Sequence, residues 1–320
     1  MTALLLVLAG LVLLALGGEL LVRGATRLAS IAGLTPAVIG LTVVAIGTSL
    51  PELVVSVAAA ANAQADLAIA NVLGSNIVNI TGTLGLVALI YPVPTRITVV
   101  RLEWPVLLVA TAAALVAMRD GIIDRFEAGF FLISLVTFIA YSVHLARREA
   151  SAAEKSALAE QAESHSASKS QGIPYSLFFV ALGLTMLIAG GDLMVKGAVS
   201  LARSFGVSER IIGLTIVAVG TGAPEIAATV IAALRKQADL AMGNLIGSNI
   251  FNLLGILGTA ALWRPLQFDA ILVRGDGWWM LAAVVLLLPI MLIARRVTRT
   301  EGIILIAVYG SYLFTVIQTI

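Results

Sequence analysis

The stretch GGELLVRGATRLASIAGLTPAVIGLTVVAIGTSLPE, residues 17–52, returns as GGDLMVKGAVSLARSFGVSERIIGLTIVAVGTGAPE at residues 190–225. The two stretches align without a gap at an offset of 173 residues. The same offset pairs QADLA at residue 64 with QADLA at residue 237, and GSNIVN at residue 74 with GSNIFN at residue 247. Because one register holds over so long a distance, we interpret the chain as an internal repeat with two copies of one unit.

The composition places both copies in a membrane. Of the 320 residues, 60% are hydrophobic and only 12% are charged, and the mean hydropathy is +1.04. A water-soluble domain has about a quarter of its residues charged, so most of this surface is expected to face hydrocarbon. There is no cysteine, which excludes disulfides and thiolate sites. Apolar runs long enough to cross a bilayer predict ten helical spans, near residues 3–22, 36–61, 67–90, 102–118, 126–145, 175–195, 209–234, 240–262, 277–294 and 302–319.

The predicted spans divide into two repeats of five. The first repeat covers residues 1–146 and the second covers 174–320, while the polar, Ser-rich segment 147–173 is predicted to be an exposed linker. An odd number of crossings makes the second repeat enter from the opposite face, so the two are inverted. The connections on the linker's face hold thirteen Lys and Arg residues and the opposite face holds seven. The positive-inside rule therefore predicts a cytoplasmic linker and both termini outside.

Two glutamates lie deep in apolar spans, in the matching motifs GTSLPE and GTGAPE. Burying the carboxylates of Glu52 and Glu225 in a membrane costs free energy, and such carboxylates usually mark a transport path. The prolines before them, Pro51 and Pro224, lack an N–H, so each releases a backbone carbonyl and kinks its helix. A purely structural glutamate that pins two helices is the alternative, but no Lys, Arg or His lies mid-span to pair with either. One turn earlier on the same helix face stand Thr48 and Thr221.

The third and eighth predicted spans carry the complementary polar residues. Ser75 and Asn79 are four residues apart on one face, and so are Ser248 and Asn252. Ser and Asn also act as hydrogen-bonding contacts between membrane helices, which is the alternative reading. We favour ligand roles for Asn79 and Asn252. The choice between contact and ligand stays open for Asn71, Asn76, Asn244 and Asn249.

These side chains would form a cation site made of oxygen atoms alone. It has no imidazole and no thiolate, which favours Ca²⁺, Na⁺ or Mg²⁺, and flexible ligands around two carboxylates fit Ca²⁺ best. Two carboxylates about 6 Å apart repel each other by roughly 3 kcal/mol at an effective dielectric near 20. An empty site is therefore expected to take up a proton or monovalent cations. Mutually exclusive occupancy of this kind is what an exchanger needs.

The paired Gly-Thr-x-x-Pro-Glu and Gly-Ser-Asn motifs resemble those of the calcium/cation antiporter superfamily, and most of all the prokaryotic sodium/calcium exchangers. The resemblance covers essentially the whole chain, and it implies a location in a prokaryotic inner membrane. It implies an all-α fold of ten helices in two inverted repeats, with ions bound between the second, third, seventh and eighth. It further implies alternating access, in which the first and sixth helices slide across a fixed core of eight. The implied ligands are Glu52, Glu225, Thr48, Thr221, Ser49, Ser75, Ser248 and Asn79, with the carbonyls of Ala45 and Ala218.

Two positions depart from the prokaryotic sodium/calcium pattern. Asn252 stands where that pattern has Asp, and Gly222 stands where it has Ser. The expected function is Ca²⁺ exchange for Na⁺, with Ca²⁺/H⁺ exchange through the same glutamates as the alternative. A cation channel is less favoured. An intramembrane enzyme is the least favoured, since the sequence has no HExxH motif, no paired Asp motif, no cysteine and no mid-span His. We expect the lipid bilayer and the transported Ca²⁺ and Na⁺ (or H⁺) as partners, with no cofactor, no nucleic acid and no obligatory protein partner.

Other charged residues have an ordinary structural interpretation. Glu19 and Arg23 are four residues apart at a helix end, and so are Asp192 and Lys196. We expect ion pairs at these two places. We assign neither pair a role in transport.

Overall fold

The computed structural model describes residues 2–149, 169–206 and 218–318, and most of this part of the chain is helical. Most of the predicted linker and the start of the seventh predicted span lie outside the described residues. The helices are α1 (Thr2–Ala32), α2 (Pro36–Thr48), α3 (Leu50–Ala61), α4 (Ala65–Ile90), α5 (Val99–Asp120), α6 (Arg125–Glu149), α7 (Lys169–Ser204), α8 (Ala218–Thr221), α9 (Ala223–Leu234), α10 (Ala238–Trp263), α11 (Val273–Ile293) and α12 (Arg299–Gln318). The strands are β1 (Val93–Pro94), β2 (Ile122–Ile123), β3 (Leu266–Gln267) and β4 (Arg296–Val297).

Seven of the described helices are long and apolar enough to cross a membrane. They are α1, α4, α5, α6, α7, α10 and α11. An eighth span is added if α2 and α3 are counted as one broken crossing. Large apolar side chains such as Leu5, Val12 and Phe130 are exposed on these helices, as expected where lipid replaces water. The chain is therefore a multi-pass integral membrane protein.

The helices form two compact units. Residues 1–48 and 136–247 make the first unit, and residues 49–135 and 248–320 make the second. Each unit thus combines segments of both sequence copies. The boundary between the units passes just before Ser49 and just before Ser248, two of the predicted ligands.

Several helices are longer than their apolar runs. α1 continues to Ala32, although its predicted span ends near residue 22, and α7 covers Lys169–Ser204 rather than 175–195. α6 and α7 also extend into both ends of the predicted linker. A hydropathy pattern ends at the first charged residue, whereas a helix continues while one of its faces can be buried. In the added turns of α1, Ala25 and Ala29 are that buried face.

In the first unit, α1 and α7 pack backbone to backbone through small residues. A Cβ added to Gly183 would lie 2.6 Å from the backbone N of Leu21, and one added to Gly17 would lie 2.9 Å from the carbonyl oxygen of Gly183. Such close approach is possible only for glycine, as in many membrane helix pairs. Leu21 and Leu187 are fully buried at this crossing and belong to the apolar core of the unit.

Ion pairs lie within and between helices of the same unit. The two predicted pairs lie inside their helices and not at the ends, because α1 and α7 continue past the predicted spans. Glu19 accepts hydrogen bonds from Arg23 and Lys196 bonds Asp192 at 2.6 Å, which confirms both predicted pairs. Glu19 also accepts two hydrogen bonds from Arg235, one of them from Nε at 2.7 Å. The middle of α1 is therefore tied to the C-terminal end of α9, a long-range contact that spacing in the sequence cannot reveal.

In the second unit, two short antiparallel strand pairs join connections that are far apart in sequence. β1 pairs with β4, and β2 pairs with β3. The sequence patterns predicted only helices and loops here, since each strand has two residues. Because β1 and β2 belong to the first sequence copy and β3 and β4 to the second, these pairs join one copy to the other.

Candidate cation-binding site

Both glutamate helices are broken next to the Pro-Glu motif, as the sequence predicts. α2 ends at Thr48 and α3 begins at Leu50, with Ser49 between them at φ −83° and ψ 8°. α8 ends at Thr221 and α9 begins at Ala223, with Gly222 between them at φ −79° and ψ 3°. Proline fits the first turn of the second segment because no N–H is needed there. Each glutamate then lies in the first turn of a helix, where the helix dipole stabilises negative charge.

In the second unit, Glu52 is buried and its helix is held by an asparagine of α4. The Glu52 side chain is 1% exposed. Asn71 donates from Nδ2 to the backbone carbonyl of Glu52 at 3.2 Å and to Ser56 Oγ at 2.9 Å. These bonds fix the first turns of α3 against α4, so the position of the glutamate backbone is set from outside its own helix.

The first unit repeats this arrangement around Glu225, which is 3% exposed. Asn244 donates from Nδ2 to Thr229 Oγ1 at 2.9 Å, and Thr229 donates to the backbone carbonyl of Glu225 at 2.7 Å. Asn244 and Thr229 lie 173 residues after Asn71 and Ser56. Equivalent residues of the two sequence copies therefore form equivalent hydrogen bonds. Ser56 and Thr229 were not singled out in the sequence, although the offset pairs them and could have revealed both.

Asn244 also contacts a predicted ligand of the same unit. Thr48 is fully buried, and its Oγ1 lies 3.0 Å from the carbonyl oxygen of Val44 and 3.3 Å from Asn244 Oδ1. The backbones of α2 and α10 can come this close because Gly247 has no side chain. A Cβ added to it would lie only 2.5 Å from the carbonyl oxygen of Leu41. For Asn244, which the sequence left open, the contacts are those of a residue that joins three helices.

Asn79 and Asn252 lie in wide turns that the sequence did not predict. The π-helical segments Val78–Thr83 and Phe251–Ile256 interrupt α4 and α10 at positions exactly one offset apart. An extra residue in a turn changes the direction of the side chains that follow, and such bulges are frequent at functional sites. Both asparagines are buried, at 3% and 1% exposure.

Asn252 has a defined neighbour in the second unit. Its Nδ2 donates to Asn76 Oδ1 at 3.2 Å, and Asn76 in turn donates from Nδ2 to Met280 Sδ at 3.6 Å. Ser248, one turn before Asn252, is fully buried. Ser248 Oγ and Asn252 Oδ1 have no hydrogen-bond partner among the described residues. Buried oxygens of this kind are available to a cation.

The other predicted ligands have simpler surroundings. Ala45 and Ser49 are fully buried next to the α2 break, whereas Ser75 and Thr221 are partly exposed. Ala218 is the first described residue of α8. By unit, the first holds Ala45, Thr48, Ala218, Thr221 and Glu225, and the second holds Ser49, Glu52, Ser75, Asn79, Ser248 and Asn252.

The fold is that of a multi-pass integral membrane protein, and buried carboxyl, amide and hydroxyl groups inside its helices are typical of membrane transporters of cations. The chain belongs to the sodium/calcium exchanger protein family, whose profile matches residues 2–144 and 175–318. This match covers both sequence copies and leaves out the segment between them.

Individual relatives agree with this assignment. The chain is 37% identical to CaxA of Alkalimonas amylolytica over 269 residues, which cover 83% of each protein. It is 30% identical to the sodium/calcium exchanger MaX1 of Methanosarcina acetivorans over 295 residues, covering 83% of this chain and 84% of MaX1. The solved structure of the sodium-calcium exchanger NCX_Mj, soaked with zero Na⁺ and Ca²⁺, superimposes with a TM-score of 0.82 at 29% identity and 97% coverage of both chains. The family and this structural match support cation antiport that involves Ca²⁺.

Proposed function

We propose that this protein is a secondary active antiporter that exchanges Ca²⁺ for Na⁺ by alternating access. The observation that carries the proposal is the pair Glu52 and Glu225. Each is buried in the first turn of a helix that follows a break, and each stands in the same motif of a repeated sequence. In a chain of the sodium/calcium exchanger family, two such carboxylates match the double charge of one Ca²⁺.

The proposed site lies at mid-membrane and uses the second, third, seventh and eighth predicted spans. The burial of Glu52, Glu225, Asn79 and Asn252 supports it, since ionisable and polar side chains buried inside membrane helices usually mark an ion path. The proposed ligands are the side chains of Glu52, Glu225, Thr48, Thr221, Ser49, Ser75, Ser248, Asn79 and Asn252 and the carbonyls of Ala45 and Ala218.

The proposal includes the membrane architecture. Ten spans form two inverted repeats, residues 1–146 and 174–320, joined by a cytoplasmic linker at 147–173, with both termini outside the inner membrane of a prokaryotic cell. The 173-residue offset supports the repeats, and the excess of Lys and Arg on the linker's face supports the orientation. Cysteines introduced singly into the linker and at the N-terminus test it, because a membrane-impermeant thiol reagent added outside should label only the terminal one.

Flux in proteoliposomes tests the exchange itself. Purified protein is reconstituted with Na⁺ inside, and ⁴⁵Ca²⁺ uptake is measured after dilution into Na⁺-free buffer. Uptake should require the outward Na⁺ gradient and should stop when monensin dissipates it. Uptake that ignores Na⁺ and follows an imposed pH gradient would replace Na⁺ by H⁺ as the coupling ion. Step-like currents in planar bilayers would indicate a channel instead.

Ca²⁺/H⁺ exchange is the second candidate, because two observations favour it. Asn252 and Gly222 remove a carboxylate and a hydroxyl from the pattern of the prokaryotic sodium/calcium exchangers, so fewer ligands remain for Na⁺. Two carboxylates close together in an empty site would take up protons, which an arriving Ca²⁺ would displace. The pH-gradient arm of the flux experiment separates the two candidates.

Substitution of either glutamate tests the site. Glu52→Gln and Glu225→Gln each remove one charge of the proposed pair, and we expect exchange to fall by roughly a hundredfold or more, since uncompensated charge in a buried site costs about 3–5 kcal/mol. Glu127→Gln is the matched control, because Glu127 is at the start of α6 and its carboxylate accepts a hydrogen bond from the backbone N of Asp124. Full flux in Glu52→Gln protein would refute the site.

A further inference from the structure

Asn252 is held by one end of its amide. Its Nδ2 donates to Asn76 Oδ1 at 3.2 Å, and both side chains are 1% exposed. The two asparagines come from different helices, α10 and α4, and from different sequence copies. This bond was not foreseen in the sequence, where Asn76 was left open between a helix contact and a ligand.

The orientation of the Asn76 side-chain amide is set by its contact with Met280. Its Nδ2 points to Met280 Sδ at 3.6 Å, which accepts weakly and cannot donate. Asn76 Oδ1 is therefore the end that faces Asn252. Only the NH₂ end of Asn252 can bond to an acceptor, so the Asn252 amide has a single favourable orientation at this contact.

The other end of the Asn252 amide faces no hydrogen-bond donor in the part of the chain that the structure describes. Asn252 Oδ1 is buried without a hydrogen-bond partner among the described residues, and Ser248 Oγ, one turn earlier on the same helix face, is in the same condition. A buried oxygen left without a partner costs free energy, and two on one face indicate a ligand that needs oxygen donors. A hard cation is such a ligand.

We infer that Asn76 is a positioning residue for cation binding: it holds the amide of Asn252 so that oxygen, and not NH₂, faces the transported cation. The inference rests on the proposed function. An amide has two unlike ends, and a turn of 180° would present NH₂ hydrogens to a positive ion. A carboxylate has two equivalent oxygens and needs no such partner. Asn76 is required because residue 252 is Asn, the departure noted in the sequence.

The test is a double-mutant cycle on Ca²⁺ affinity. The dissociation constant for Ca²⁺ is measured by isothermal titration calorimetry on purified full-length protein in detergent, for wild type, Asn76→Ala, Asn252→Asp and the double variant. Asn76→Ala should weaken Ca²⁺ binding roughly three- to tenfold when residue 252 is Asn, the range expected for one buried hydrogen bond. In the Asn252→Asp background the same change should weaken binding less than about twofold.

Three controls keep the result interpretable. Asn62→Ala is the matched substitution, because Asn62 is exposed at the C-terminal end of α3 and its side chain donates to the Ala58 carbonyl of that helix. It should leave Ca²⁺ affinity unchanged. Asn76→Leu, which also lacks an acceptor but fills the space, replaces Asn76→Ala if that variant does not purify as folded protein. Flux in proteoliposomes should show a higher half-saturating Ca²⁺ concentration at an unchanged maximal rate.

An equal loss of affinity in both backgrounds would overturn the inference, since it would make Asn76 a packing residue. Unchanged affinity in Asn76→Ala protein would overturn it as well. If the wild-type protein exchanges Ca²⁺ normally in either case, the proposed function stands and only the role of Asn76 is lost. Wild-type protein that neither binds nor moves Ca²⁺ would overturn both.

Discussion

Replacing Gly183 by Ala tests the close pairing of α1 with α7. The added Cβ would lie 2.6 Å from the backbone N of Leu21 and 2.8 Å from the carbonyl oxygen of Gly17. Ordinary contact begins near 3.4 Å, so the two backbones would have to separate by several tenths of an ångström at this crossing. Overpacking of this kind costs about 1–3 kcal/mol. We expect the free energy of unfolding to fall by about that amount, because backbone atoms cannot rotate away as a side chain can.

Gly129 provides the matched control for this change. It lies in α6, and a Cβ added there has no neighbour within 4 Å. Gly129→Ala should therefore be neutral or stabilise by up to about 1 kcal/mol, the ordinary preference of a helix for alanine. Thermal unfolding in detergent, followed by static light scattering and circular dichroism, measures both variants. If the Gly183→Ala protein melts at or above the wild-type temperature, the close packing of α1 against α7 does not contribute to stability as expected.

Two further variants test contacts in the first unit. Asn244→Ala removes the hydrogen-bond donor to Thr229 and the neighbour of Thr48. We expect the free energy of unfolding to fall by about 2–4 kcal/mol and exchange to drop clearly. A melting temperature equal to that of the wild type would contradict this expectation. Arg235→Gln breaks a pair whose side chains are 52% and 21% exposed, so less than about 1 kcal/mol should be lost in the same melting assay, and a loss above about 3 kcal/mol would show that the pair is shielded from solvent.

Local sequence features predicted much of the candidate site. The proline in each motif predicted the helix breaks next to Glu52 and Glu225, because the missing N–H is a property of the residue itself. The burial of both glutamates followed from the apolar runs around them. The ion pairs Glu19–Arg23 and Asp192–Lys196 followed from helical spacing.

The remaining features depend on contacts between distant segments or on backbone detail. The bond between Asn76 and Asn252 joins residues 176 positions apart, and no periodicity relates them. The π-helical turns at Asn79 and Asn252 insert one residue into an otherwise regular helix, which leaves no mark in hydropathy. α1 continues past its apolar run and ends at Ala32, where Gly33 has a left-handed backbone (φ 63°) and Leu34 N donates to the carbonyl of Ala29.

Each compact unit draws on both sequence copies, and this has a consequence for how the protein can be made. A gene cut within residues 147–173 would give two polypeptides, each lacking part of both units. Neither half would have a complete core when produced by itself, since α1 needs α7 and β2 needs β3. The halves should mature only when synthesised together in the same membrane. The two sequence copies therefore depend on each other for folding, although they belong to one polypeptide.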